Sequence, residues 1–242
     1  MFTPQGPTLR ELAVQALSST MRGYDLLAPK FDLTPYRTPD RVLEAVADEV
    51  RPLGPFGRGL DVCCGTGAGV GVLRTLCQER VTGVDFSAGM LDVARAADRG
   101  ETGGPVVDWV RADALALPFA RAFDLALSFG AFGHFLPEER PALFGQVYAA
   151  LRPGGLFVFP VGAPPVVGSR AYWSLLGFDL AMRTRNALWR PPFVMYYRTF
   201  PLAGVVDDLV QTGFTLRLLP LESFGRRPDG SPRVRLVVAA RG

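Results

Sequence analysis

Three aspartates, Asp61, Asp85 and Asp113, a glycine run at Gly65, Gly67 and Gly69, and the single histidine, His134, are the residues whose types and spacing can do chemistry. The stretch Gly59 to Leu73 reads GLDVCCGTGAGVGVL, an apolar and partly β-branched run followed by glycines with only Thr66 and Ala68 between them. It predicts a buried strand, then a sharp turn whose N–H groups meet a ligand with no Cβ in the way, then a helix. That is a nucleotide-type site. The dinucleotide pattern G-x-G-x-x-G fails, because Val70 or Val72 stands where its third glycine belongs. Asp61, four residues ahead of Gly65, instead puts a carboxylate at the strand end, where it can accept from an ammonium group. This favours a ligand with a cationic amino-acid end over a pyrophosphate. Asp85 closes a second strand-like run from Arg80, and at the carboxyl edge of a doubly wound sheet such a carboxylate can take both hydroxyls of a ribose.

The stretch resembles motif I of the class I S-adenosylmethionine-dependent methyltransferases, an acidic residue followed by G-x-G-x-G. Cys63 stands where that pattern often has its first glycine, and Asp-Val-Cys-Cys-Gly-Thr-Gly looks like the variant seen in quinone-ring methyltransferases. The resemblance implies S-adenosylmethionine as cofactor, bound through Asp61, Cys63, Gly65 and Gly67. It implies the ribose on Asp85, with Phe86 and Met90 beside the adenine. Asp113 would meet the adenine amino group and the backbone at Ala114 a ring nitrogen, a turn cap being the other use of such an aspartate. Ser128 and Phe129, ending a fourth strand, complete the cofactor set. The segments Gly130-Ala-Phe-Gly-His134-Phe-Leu-Pro137 and Leu151-Arg-Pro-Gly-Gly-Leu-Phe-Val-Phe are also similar to family segments. Tyr24 begins Tyr24-Asp25 to Phe31-Asp32, similar to the family segment that folds over the cofactor; an ordinary helix packed on the sheet is the alternative. His134 falls where the methyl acceptor should lie, so it is the candidate catalytic base for a hydroxyl or phenolic proton, against a packing or capping role. No metal is implied.

The elements that must position these residues follow from periodicity. An apolar stripe predicts a helix from Thr8 to Met21, and Asp40 is placed to cap another over Val42 to Val50. Helices are expected over Val70 to Gln78, from a Ser87 cap through Ala97, over Pro137 to Leu151 and over Leu202 to Val210. Strands are expected up to Cys64, at Arg80 to Asp85, Val106 to Arg111 and Phe123 to Phe129, after Gly155, from Gly213 to Leu219 and from Val234 to Ala239. The alternation predicts an α/β fold, and the resemblance implies its form: a doubly wound, seven-stranded, mostly parallel sheet with an antiparallel last strand, the Rossmann-like methyltransferase fold.

At 242 residues, 48% hydrophobic and 20% charged, the chain suits one globular methyltransferase domain over 1–242, with an N-terminal helical cap at about 8–50 and an insertion at about 163–200. The insertion holds Tyr172, Trp173, Phe178, Trp189, Phe193, Tyr196 and Tyr197 among Arg170, Arg183, Arg185, Arg190 and Arg198, with Asp179 the one acid. It reads as a roof over the acceptor; the alternatives are a self-packed helical cap or an interface with a membrane or a second copy, a homodimer. The expected reaction is methyl transfer to a small molecule, flat or apolar with an anionic group. The rivals are a non-catalytic cofactor-binding regulator and a nucleic-acid methyltransferase, the latter disfavoured by Ser-Phe-Gly-Ala after the fourth strand. Three cysteines without disulfide or zinc spacing, no apolar run fit to span a bilayer and no signal-like start make a cytoplasmic location the expectation.

Overall fold

Alternating strand and helix patterns become one seven-stranded sheet in the computed structural model, which describes residues 5–99, 103–196 and 200–242. In chain order the elements are α1 (Leu9–Ala16), α2 (Thr20–Leu27), α3 (Asp40–Val50), β1 (Phe56–Val62), α4 (Ala68–Leu76), β2 (Cys77–Asp85), α5 (Ala88–Asp98), β3 (Val106–Arg111), β4 (Phe123–Leu127), α6 (Arg140–Ala150), β5 (Leu151–Gly162), α7 (Arg170–Leu188), α8 (Leu202–Thr212), β6 (Phe214–Pro220) and β7 (Val234–Arg241). A 3-10 segment, Ala28–Leu33, follows α2 directly. The sheet order is β3-β2-β1-β4-β5-β7-β6. Only β7 runs against the rest, pairing antiparallel with both β5 and β6. Strand order reverses beside β1, which lies between β2 and β4, and ligands of such sheets bind beyond the carboxyl ends of the strands at that point.

Period-two alternation decides which side chains of β1 meet which layer. Leu60 and Val62 are buried with Phe144, Val147 and Phe157 on one face of the sheet. On the other, Val46, Val70 and Leu73 pack with Val81, Leu125 and Leu127. Each such fully buried side chain contributes about 1.5–3 kcal/mol. Asp61 belongs to the α4 side, where a Cβ on Gly69 would touch its carboxylate.

Three local expectations differ from what is observed. The helix foreseen from Thr8 to Met21 is two helices, because the Ser19 hydroxyl accepts from Arg22 N–H and starts α2 afresh. Asp40 does not cap α3: Pro39 is the cap residue, and the Asp40 carboxylate pairs with Arg37 at 2.8 Å. The fifth strand begins at Leu151, ahead of Gly155. Its pairing with β4 jumps from Phe123–Leu151 to Leu125–Leu156, and the irregularity takes up the Pro-Gly-Gly turn.

Candidate active site

The chain leaves β1 through a left-handed turn: φ is 60° at Cys63, 53° at Gly65 and 95° at Gly67. Cys63 therefore holds a conformation that glycine adopts freely, which accounts for the glycine common at that place in the motif. Gly67 is the N-cap of α4, and a Cβ there would sit 2.8 Å from the Trp109 ring. Its constraints are thus its left-handed backbone and packing against β3. A Cβ on Gly69 would lie 2.5 Å from the Asp61 carboxylate, so only glycine lets that carboxylate tuck against the start of α4.

Asp61 is buried and accepts from the Val70 N–H, yet its Oδ2 has no hydrogen-bond partner among the described residues. Burial, with Asp85 nearby, pushes its carboxyl well above the usual carboxylate range. An orphaned buried carboxylate oxygen at a cavity wall calls for a cation, so the residues present fit the ammonium end of S-adenosylmethionine. Asp85 is satisfied differently. Its Oδ2 accepts from Gly65 N–H and its Oδ1 from Ser87 N–H, both at 2.9 Å, so one carboxylate ties the glycine turn to the start of α5. Burial raises its pKa, and those N–H groups oppose the rise. The Ser87 cap is as expected, its hydroxyl accepting from Met90 N–H.

A cavity of about 510 Å³ opens beyond these strand ends, within the range of roughly 300–1,000 Å³ usual for ligand pockets. Tyr24, Asp61, Cys63, Gly65, Asp85, Phe86, Met90, Asp113, Ala114, Phe129 and His134 all line it. Gly67 and Ser128 do not. The Ser128 hydroxyl is buried and donates to the Val62 carbonyl at 2.8 Å, joining the ends of β4 and β1. Asp113 spends one carboxylate oxygen as the cap of a short 3-10 turn, accepting from Leu115 N–H.

His134 sits in a closed frame. The Val194 carbonyl lies 2.7 Å from Nδ1 and the Tyr24 hydroxyl 2.7 Å from Nε2. A carbonyl can only accept, so Nδ1 carries the proton and Nε2 receives the Tyr24 O–H in the neutral ring. Burial holds the ring pKa below its ordinary 6.5, the Val194 bond opposing this. Both ring nitrogens are therefore occupied, and it is the Tyr24 oxygen that stands between the imidazole and a proton donor.

The N-terminal elements cover the cavity. Asp25 accepts from the Ser87 hydroxyl at 2.6 Å and from Gly89 N–H at 2.9 Å, and Asp32 accepts from the Thr66 hydroxyl at 2.7 Å. The Tyr-Asp segment is thereby fastened to α5 and to the glycine turn. Of the 163–200 insertion, only Val194 and Met195 line the cavity among the described residues; Tyr197 and Arg198 lie outside them. Elsewhere in the insertion, Arg183 lies over the Tyr196 ring at 4.6 Å, and Arg185 donates to the carbonyls of Ser18 and Pro191. Among the described residues, the lysine or arginine on the cavity wall is Arg37, from the loop before α3, held by Asp40 and 3.7 Å from Asp32. The sequence held no sign of Arg37, Val194 or Met195 as lining residues, since no motif contains them.

Comparison with known proteins agrees on this half of the molecule. Residues 60–155 match the family model described as a methyltransferase domain. A demethylmenaquinone methyltransferase of Thermus thermophilus is 39% identical over 119 residues, 46% of this chain and 50% of the relative. A ubiquinone/menaquinone biosynthesis C-methyltransferase UbiE of Ruegeria sp. is 32% identical over 144 residues, 58% of this chain and 56% of the relative. The chain thus spans about half the length of the curated relatives it matches. Among solved structures, the DhpI–SAH complex superposes with a TM-score of 0.64 at 19% identity, covering 97% of this chain and 99% of that one, which is a likeness of fold. Residues 60–155 thus carry the methyltransferase-domain match, on a fold shared with solved S-adenosylmethionine-dependent methyltransferases.

Proposed function

We propose that the chain acts as one unit, residues 1–242, that transfers a methyl group from S-adenosylmethionine to a flat, apolar small molecule bearing an ionisable hydroxyl. The observation that carries this reading is the single cavity with the orphaned Asp61 carboxylate on one wall and the Tyr24–His134 pair on another. The cofactor, when bound, supplies a methyl group already activated on a sulfonium. Asp61 would receive its ammonium, Asp85 its ribose, and Phe86, Met90, Asp113 and Ala114 its adenine.

The protein's own work is positioning, water exclusion and one proton. Phe31, Tyr36, Phe129 and Phe135 offer an apolar wall to a ring, and Arg37 offers an anionic substituent a partner. As the acceptor hydroxyl gives its proton to the Tyr24 oxygen, the Tyr24 proton passes to His134 Nε2. The resulting imidazolium keeps its Nδ1–H on the Val194 carbonyl. Holding donor and acceptor in line contributes on the order of 7 kcal/mol or more. The relatives' names, which are those of quinone-ring methyltransferases, support a flat acceptor. Residues about 8–50 and 163–200 form the cover in this reading, and the free thiols of Cys63, Cys64 and Cys77 support a reducing, cytoplasmic setting.

Calorimetry with S-adenosylhomocysteine, followed by transfer of labelled methyl from S-adenosylmethionine to a panel of hydroxylated aromatic and quinol acceptors, tests the proposal. Binding with turnover that falls about 10²-fold in Tyr24→Phe supports it. Binding without turnover on any acceptor would leave a non-catalytic cofactor-binding protein, and absence of binding would remove the reading altogether.

A further inference from the structure

Helix α7 is apolar on two opposite sides. Tyr172, Leu175, Asp179, Met182 and Asn186 recur at helical spacing on its covered side, and Met182 and Phe178 pack there with Phe193 and Tyr196. On the outer side Trp173, Leu180 and Leu188 stand 60%, 65% and 81% exposed, two turns apart from one to the next, so they form one stripe. Trp189, just past the helix end, is also exposed, at 51%. The helix has 19 residues, about 28 Å of length. A stripe of this size on a water-facing helix costs solubility and marks an interaction surface.

Charge decides what covers it. Arg170 and Arg190 stand exposed at the two ends of the stripe and make no ion pair among the described residues. The one acid of the helix, Asp179, is buried on the inner side. Pairing the stripe with a second copy would bring arginine against arginine with no carboxylate from either helix to answer it. An anionic sheet of lipid headgroups answers both. Tryptophan, with an apolar ring and one N–H, suits the headgroup level, and the guanidinium fork suits phosphate. No helix among the described residues is long and apolar enough to cross a membrane, so the geometry is that of a helix lying in the surface.

We propose that the outer face of α7 is a docking surface for an anionic lipid bilayer. The seat has a consequence for the site. The chain passes from α7 through residues 189–192 into Phe193 to Tyr196, whose Val194 and Met195 line the cavity, so the docking helix and one cavity wall belong to one continuous segment. The docking does not depend on methyl transfer and is measured without it.

The test uses the full chain with vesicles of phosphatidylcholine, with and without phosphatidylglycerol. The expected result is co-sedimentation with the phosphatidylglycerol vesicles, a blue shift of tryptophan emission, and release as salt rises. Leu180→Glu should weaken partitioning about tenfold or more, and Arg170→Ala and Arg190→Ala about fivefold each. All three sites are exposed, so circular dichroism should match the wild type. Failure of the wild type to bind phosphatidylglycerol vesicles, or unchanged binding in Leu180→Glu, overturns the proposal. So does a dimer in sedimentation equilibrium that Leu180→Glu dissociates, which would give the stripe to a second copy.

Discussion

Asp61 shows how a side chain can serve a ligand at the expense of the empty protein. Its folded-state pKa lies above the ordinary 3.8. Its favourable contribution is therefore complete below that value and is lost as pH rises through the raised one, so towards neutral pH the buried carboxyl costs the ligand-free chain stability. Asp61→Asn is expected to raise the unfolding temperature near pH 7, with the advantage fading below about pH 4. The same change should weaken S-adenosylhomocysteine by about 1.5–3 kcal/mol, on the order of 10- to 100-fold. Thermal unfolding against pH and calorimetry check the two halves, and an unfolding temperature equal to wild type at pH 7 would dismiss the unpaired charge. Cys63 is the second residue-scale case. Its left-handed backbone costs roughly 1–2 kcal/mol that glycine would not incur, set against the packing of a half-buried thiol. Cys63→Gly should keep both fold and cofactor affinity, while Cys63→Val, β-branched at positive φ, should lose about 2 kcal/mol or more in denaturant titration.

At the scale of elements, the segment after α7 works as a strap between parts distant in sequence. Asn186 Nδ2 donates to the Phe193 carbonyl at 3.0 Å and to the Tyr196 hydroxyl at 2.9 Å, and its Oδ1 accepts from Phe193 N–H at 3.0 Å. Beyond it, Val194 N–H donates to the Thr20 hydroxyl at 2.9 Å and Tyr196 N–H to the Gly133 carbonyl at 2.7 Å. The strap thereby joins α7, α2 and the exit of β4, and it presents the carbonyl that sets the His134 tautomer. Asn186→Ala should leave S-adenosylhomocysteine affinity within about twofold, because no cofactor-side residue touches Asn186. It should cost about 1–3 kcal/mol of local stability, seen as faster hydrogen exchange at Tyr196 N–H, and lower turnover with it. Normal exchange at Tyr196 combined with lost turnover would assign Asn186 some other role.

On the scale of the molecule, the strand ends and the lipid-facing helix are separate devices on one framework. A ligand that binds only the folded chain at a hundred times its Kd stabilises it by about 2.7 kcal/mol. For a chain of this size that is a rise in Tm of about 5–10 °C. S-adenosylhomocysteine should produce this rise in the wild type and an equal one in Leu180→Glu, whose substitution lies on the outer face of α7. Differential scanning calorimetry checks it, and a smaller rise in Leu180→Glu would mean that α7 and the cofactor site are coupled.

What the sequence determined by itself is local. Apolar runs of period two, helical stripes and glycine spacing placed β1 to β7 and the helices between them other than α7 within a few residues, and strand ends put Asp61 and Asp85 at the cavity wall. Even the departures near α2 and β5 are local, a serine that caps and a bulge that takes up two glycines. Only the tertiary structure decided how each group spends its hydrogen bonds, because the partners lie far along the chain. Tyr24 meets His134 across 110 residues and His134 meets Val194 across 60, so no spacing rule could show that both ring nitrogens are taken. Ser128 was expected on the cofactor and holds two strands together instead, and Gly67 answers to the Trp109 ring. The arginines of the insertion read as pocket cations on composition alone. Among the described residues, Arg170 and Arg190 stand exposed, Arg183 lies over the Tyr196 ring and Arg185 donates to the Ser18 and Pro191 carbonyls, so hydration, a ring face and carbonyl oxygens satisfy guanidinium groups that an apolar cavity would leave bare.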